Sequence, residues 1–283
     1  MGRLRQVAGL CAAGNPPGNE DLCVVNERLA FVLDGATGLG EPLLAGVSSD
    51  ARWFVARFAE RLQLRWQEAP VVLSALQRAL ADVTLEWQRL CDKPVAVHRL
   101  PSAGLALVAL EGDELVMLRL GDCEVYCLEV SGARRVFPDS PLLAYDQRAI
   151  EAVAQRRRQG QSFAEALEGV RPMLVAHRER LNTPEGYSAL SVARAEQMVP
   201  EIGRVKASDV SRVLLTSDGF SAAWQGYGLE APPGWIADAG INERLGQLLA
   251  QLRALEDADP EGDRFVRLKR HDDATGVVVD VLP

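Results

Sequence analysis

Apolar and polar positions along this chain repeat at two periods, and the switch between them marks out its elements. Residues 21–25 and 29–33 are short apolar runs flanking the polar triplet Asn26-Glu27-Arg28, the arrangement of a hairpin. A helical period follows. Phe54, Phe58 and Leu62 recur every fourth residue behind Ser49, a residue type suited to capping, and Val72, Leu76, Leu80, Val83, Trp87 and Leu90 continue the stripe. Both segments are expected to lie as amphipathic helices against a sheet. Strand character returns over residues 103–110, 115–120, 124–130 and 134–137, separated by Glu111-Gly112-Asp113-Glu114 and Ser131-Gly132, and reads as an antiparallel meander. Near-continuous apolarity in its first two strands implies cover on both faces.

Polar, helical sequence occupies residues 147–158 and 162–182, with Pro172 expected to bend or split the second stretch. Strands are expected again at 187–193 and 213–216, a helix at 242–255, and a last strand at 275–282. Strand groups interrupted by pairs of helices, with no internal repeat and no low-complexity linker, indicate one α+β domain of packed layers over residues 1–283.

Composition narrows the function classes. With 48% hydrophobic and 25% charged residues in a chain of 283, a large core is expected. Thirty-one basic against 39 acidic residues give a formal net charge of -8, which argues against nonspecific binding to nucleic acid or an anionic membrane. Five cysteines lack the even count and spacing of a disulfide framework and suit a reducing compartment, with Cys123 and Cys127 expected in the core. Residues 1–13 contain Arg3 and Arg5 but only a short, interrupted apolar stretch, and no run reaches membrane-spanning length, so the cytoplasm is the expected location.

The candidate chemistry lies in acidic turns that follow the strand-like runs. Asp34-Gly35 follows Phe31-Val32-Leu33, Gly121-Asp122 follows residues 117–120, and Ser217-Asp218-Gly219 follows residues 213–216; Asn19-Glu20-Asp21 and Asp272-Asp273-Ala274-Thr275 precede strands. Strand ends are rigid mounts for ligands. Carboxylates that converge without basic partners repel one another, and a hard, oxygen-seeking cation such as magnesium, manganese or calcium relieves that repulsion. Each Asp-Gly pair alone is an ordinary turn former.

In order, spacing and strand context these fragments together resemble the metal-dependent protein phosphatases of type 2C, over nearly the whole chain: Asn19-Glu20-Asp21, Asp34-Gly35-Ala36-Thr37-Gly38, Gly121-Asp122, Leu214-Leu215-Thr216-Ser217-Asp218-Gly219-Phe220 and Asp272-Asp273-Ala274-Thr275. The resemblance implies a four-layer α-β-β-α sandwich, two antiparallel sheets flanked by helices, with two manganese or magnesium ions at one end. It implies that Asp34 bridges both ions, that the Gly35 carbonyl binds one, and that Asp218 and Asp272 complete the other. Glu20 and Asp21 would hold metal-bound waters, and Asp122 would either support these ligands or bind a weaker third ion. Carboxylates rather than His or Cys favour manganese or magnesium over zinc, and the chain has only His98, His177 and His271.

Three features depart from the family pattern. An arginine that grips the substrate phosphate commonly stands four residues before the glutamate, where this chain has Pro16. Loss of such a contact weakens phosphate binding about ten- to a hundredfold. Asn15, Asn19, Arg178 and His271 are candidates to take its place. Ala36 stands where some members carry a histidine, leaving solvent or His271 to protonate the leaving group. A helix-rich insertion over residues 144–187 replaces a compact flap. Within it Arg156-Arg157-Arg158 reads as a solvated helix face and Tyr187 as a wall of the cleft.

The resemblance implies hydrolysis of phosphoserine and phosphothreonine in proteins by a water shared between two ions, opposing a serine/threonine kinase. Pro16 motivates an alternative, a pseudophosphatase that binds metal or phosphoprotein without efficient turnover. A phosphatase for small phosphorylated metabolites is a second alternative.

Overall fold

The computed structural model describes residues 2–15, 18–91 and 93–283. Pro16, the position facing the family's arginine, lies outside the described residues. Among them the chain forms β1 (Arg3–Ala12), β2 (Leu22–Val25), β3 (Leu29–Ala36), α1 (Asp50–Glu68), α2 (Val72–Leu90), β4 (Ser102–Glu111), β5 (Glu114–Leu120), β6 (Glu124–Glu129) and β7 (Gly132–Arg135). It continues with α3 (Pro141–Arg158), α4 (Phe163–Arg178), β8 (Leu190–Ser191), β9 (Glu201–Lys206), β10 (Val210–Thr216), α5 (Asp218–Gln225), α6 (Ile241–Asp257) and β11 (Ala274–Leu282). The strands make two antiparallel sheets, in the orders β1-β11-β10-β6-β7 and β2-β3-β4-β5-β9, with β8 paired to β4.

Period-two alternation explains the four layers. On β3, Leu29, Phe31 and Leu33 face α1 and α2, where they meet Phe54, Phe58, Leu62, Leu76 and Val83. Ala30 and Val32 point the other way, into a core shared with Val213, Leu215, Val277 and Val279 of the second sheet. The outer face of that second sheet presents Leu214 and Val278 to Phe220 of α5 and to Leu245 and Leu248 of α6. Burial on both faces is why β3, β4 and β5 read as apolar throughout. Cys123 and Cys127 are fully buried between the sheets. Ser49 caps α1 by accepting from Arg52 N at 3.1 Å, and the two outer helices are fastened by Arg57–Glu86 and Arg65–Asp82 pairs at 2.9 and 2.7 Å.

The structure corrects several expectations. The meander divides: β4 and β5 form a hairpin in one sheet, β6 and β7 in the other, because the left-handed Gly121 (φ +70°) turns the chain across the sandwich. Pro172 does not split α4, which runs unbroken and ends at Arg178 rather than 182. Proline at this helix position costs the bond it cannot donate, and α4 is held by packing of Ala166 and Val170 on Val153 of α3. The helix α3 starts earlier than expected, with Pro141 in its first turn behind a Ser140 cap. Of residues 187–193 only Leu190–Ser191 form a strand. Arg157 is not merely solvated: its Nη2 pairs with Asp263 at 2.6 Å. No helix among the described residues is long and apolar enough to cross a membrane.

The register places every acidic turn at one end of the sandwich. Asp34 lies opposite Gly104, Leu120 opposite Leu105, Thr216 opposite Gly276 and Cys11 opposite Thr275, so β3, β5, β10 and β1 finish there and β11 begins there.

Candidate metal centre

Asp34 is carried by the last turn of β3, Asp122 by the crossing between the sheets, and Asp218 by the first residue of α5, immediately after β10. One carboxylate oxygen from each of the three lies within 4.8 Å of the others. Asp21, on the approach to β2, and Asp272, before β11, flank this trio closely enough to act on it electrostatically.

The electrostatics follow from that convergence. Burial pushes the Asp34 carboxyl well above the usual range, and the charges of Asp218, Asp21 and Asp122 push it further. Asp122 is raised by burial first, then by Asp218 and Asp146. Asp21 is likewise raised by burial, with Asp218 and Asp272 adding; the hydroxyls of Ser217 and Thr275 pull the other way without forming a well-aligned hydrogen bond, and both carboxylate oxygens of Asp21 are buried without a partner. Asp272 is pushed up to about 6, by burial against the counteracting Lys269. Lys269 Nζ stands 2.6 Å from Asp272 Oδ1. Asp272, Asp218 and Asp34 together outweigh the partial desolvation of this half-exposed ammonium and hold it protonated.

This donor set fits hard divalent cations. The donors are all carboxylate oxygens, like charges face one another, and two buried oxygens of Asp21 are orphaned, a costly state that a bound ion or its waters would relieve.

Other residues singled out in the sequence have separate placements. Gly35 packs so tightly on the preceding loop that a Cβ there would lie 2.5 Å from the Glu20 carbonyl oxygen. Glu20 turns its carboxylate to the hydroxyls of Thr37 and Ser49 and to Thr37 N at 3.3 Å. Asn19 accepts from Asp21 N at 2.9 Å and donates to Cys11 Sγ at 3.1 Å. Arg178 reaches from the end of α4 to the Ser102 hydroxyl and, at 3.3 Å, to the Thr37 carbonyl. His271 turns toward α6, with Nε2 3.1 Å from Asp257 Oδ1. Tyr187 lines a cavity of ≈ 460 Å³ with Gly121, Pro141, Asn182 and Arg119, between the flap and the sandwich.

Two residues of the site escaped sequence reasoning. Asp146, on α3, is pushed up to about 7 by burial and by Asp218, so the flap helix carries an acid to the cluster. Lys269 sits on the loop before Asp272. Neither has a motif, since both are ordinary charges in polar segments, and tertiary packing alone brings them in.

No protein-family model matches the sequence, nor does any curated protein sequence. Solved structures do match. The serine/threonine phosphatase PstP/Ppp of Mycobacterium tuberculosis superimposes over 98% of this chain and 98% of its own, with a TM-score of 0.60 and 17% identity. The catalytic domain of PstP in complex with 2 manganese ions matches over 100% of both chains, with a TM-score of 0.56 and 15% identity. MsPP, a PPM Ser-Thr phosphatase of Mycobacterium smegmatis bound to cacodylate, covers 98% of this chain and 97% of its own at a TM-score of 0.52 and 20% identity. The chain thus has the α-β-β-α sandwich fold of the PPM, or type 2C, serine/threonine phosphatases, with an acidic cluster at one end.

Proposed function

We propose that this protein is a metal-dependent phosphatase acting on phosphoserine and phosphothreonine in proteins. The observation that carries this reading is the convergence of Asp34, Asp122 and Asp218 within 4.8 Å at the end of a PPM-type sandwich. Asp34, the Gly35 carbonyl, Asp218 and Asp272 would hold two manganese or magnesium ions, with Asp21 and Glu20 acting through water and Asp122 with Asp146 available to a third. Bound there, the ions would supply a water deprotonated near neutral pH and neutralise the charge of the phosphate.

The chain's own residues do the rest. The sheets hold the acids rigidly, so they need little reorganisation to bind. Thr37 and Ser49 fix the orientation of Glu20. Arg178 ends α4 and Tyr187 lies on the loop beyond it, lining a cavity beside Gly121, and a helical flap of this size favours a macromolecular substrate over a small metabolite. A serine/threonine kinase would supply the phosphoprotein.

The test is manganese-dependent hydrolysis of p-nitrophenyl phosphate and of a phosphothreonine peptide by wild type, Asp34→Asn and Asp218→Asn. Turnover that both substitutions abolish supports the proposal. Manganese binding with no turnover on either substrate would instead favour a pseudophosphatase, the reading that Pro16 motivates.

A further inference from the structure

Of the candidates to replace the arginine missing at Pro16, Asn15, Asn19 and Arg178 make hydrogen bonds elsewhere, and His271 turns toward α6 with its Nε2 buried and without a hydrogen-bond partner among the described residues. Asn15 Nδ2 donates to the His271 carbonyl at 2.5 Å; Asn19 ties Cys11 to Asp21; Arg178 spans Ser102 and Thr37; His271 faces Asp257. Lys269 differs from these in touching a carboxylate of the cluster directly. Its Nζ makes a single hydrogen bond, to Asp272 Oδ1 at 2.6 Å, and its side chain is 54% exposed. An ammonium has three N–H donors, so two remain for an incoming ligand.

We propose that Lys269 binds the phosphate group of the substrate, as the cation that the loop at residues 14–20 does not supply; this rests on the phosphatase reading above. A phosphate monoester carries nearly two negative charges at neutral pH and must approach a cluster of carboxylates. Bound ions would offset part of that repulsion, and a lysine poised on the cluster's rim offsets more, as a point charge on a flexible stem. Contacts at residues 267, 268 and 272 anchor the loop that carries Lys269. Leu268 packs, partly buried, against Val153, Ala166 and Val170 of α3 and α4, Arg267 is buried against Asp259 at 3.3 Å, and the Asp272 carbonyl accepts from Arg253. The hydrogen bond to Asp272 already restrains the flexible side chain, which offsets part of the rotamer entropy that ordering a lysine costs. Its hydrogen bond leaves Oδ2 of Asp272 for an ion, so the lysine and a metal are able to share that carboxylate.

Lys269→Met and Lys269→Arg distinguish this role from a merely structural one. Binding of manganese, and then of inorganic phosphate to the manganese-loaded protein, is followed by calorimetry, with KM and kcat for p-nitrophenyl phosphate measured alongside. Lys269→Met is expected to weaken phosphate binding and raise KM about tenfold, the size of a lost charge-assisted contact, with manganese binding no weaker than in wild type. Lys269→Arg is expected to restore most of the affinity. Phosphate affinity within about twofold of wild type overturns the proposal, as does a fall in manganese affinity in step with phosphate affinity, which would make Lys269 a prop for Asp272. Wild type that takes up no manganese overturns the phosphatase reading and this inference together; wild type that takes up manganese and phosphate without hydrolysis defeats turnover alone and leaves the calorimetric comparison decisive.

Discussion

Asp273 Oδ2 accepts the backbone N–H of Glu20 at 2.7 Å, joining the last acidic turn of the chain to the first. Its other oxygen accepts Gly14 N, also at 2.7 Å, so one carboxylate clips both ends of the loop that leads to Asp21. Asp273→Ala would leave two amides without partners, at about 1–3 kcal/mol for each one that water cannot reach. The expected result is a loss of roughly 2 kcal/mol in denaturant unfolding and faster amide exchange across residues 14–21. Asp273→Asn, which keeps one acceptor oxygen, should lose less. Unchanged exchange in the alanine variant would show that the loop is held by other contacts.

The order of the acids was legible because Asp34, Asp122, Asp218 and Asp272 adjoin β3, β5, β10 and β11, whose apolar runs are buried, while Asp21 stood out by its motif beside the half-buried edge strand β2. Edge strands gave no such signal. In β1 only Leu4 and Ala8 are buried, and β9, Glu-Ile-Gly-Arg-Val-Lys, turns Ile202 outward, so neither shows a strong alternation. Asp218-Gly219 reads as a turn, yet Asp218 opens α5, a helix of 8 residues whose stability comes from Phe220 packed on the sheet rather than from its own propensity. Asp146 and Lys269 were illegible for a different reason. Their nearness to Asp218 and Asp272 is set by how α3, α4 and the loop before β11 dock, and local sequence does not encode docking.

Gly121 and Gly104 meet beneath the cluster. A Cβ on Gly121 would lie 3.0 Å from Gly104 Cα, and Gly121 has φ +70°; a Cβ on Gly104 would lie 2.9 Å from Cys123 Sγ and 3.5 Å from both Asp122 Oδ1 and Asp34 Cβ. Gly121→Ala therefore combines a strained dihedral with a backbone clash, and is expected to cost about 1–3 kcal/mol in unfolding free energy. Gly104→Ala meets the acids only in ordinary contact but clashes with the buried Cys123 Sγ, and is expected to shift Asp122 through its chain neighbour Cys123, seen as weaker manganese binding by calorimetry. Equal manganese affinity in that variant would show that the sheets absorb the extra methyl without moving the acids.

Asp34→Asn removes a carboxyl whose ionisation is opposed by burial and by the neighbouring acids, while keeping an oxygen to accept the 3.2 Å hydrogen bond from Asp218 N. In EDTA the variant is expected to be more stable than wild type by roughly 1 kcal/mol, or about 2–4 °C in melting temperature. Added manganese should reverse the ranking, because wild type alone would gain the binding energy. A variant less stable than wild type in EDTA would mean that Asp34 is better compensated than its neighbours suggest.

Stability against pH should have an unusual sign. Ordinary paired carboxylates such as Asp82, held low by Arg65, stabilise the fold above the unfolded pKa and lose that contribution in acid. The site acids do the opposite: Asp272 is raised to about 6 and Asp146 to about 7, with Asp34, Asp122 and Asp21 raised well above their usual value, in each case by burial first. As pH climbs from about 4 toward 8 the unfolded chain releases these protons before the folded one does, so the folded state binds more protons and its stability falls, by up to about 1.4 kcal/mol per pH unit for each group. EDTA-treated protein is therefore expected to melt higher at pH 5.5 than at pH 8. Divalent ions require the deprotonated carboxylates, so their affinity rises over the same interval and manganese should flatten or invert the profile. Thermal melts across this range, with EDTA and with manganese, check both halves. A profile in EDTA that rises with pH would mean that the acids are already ionised in the metal-free fold, with Lys269 and solvent compensating them.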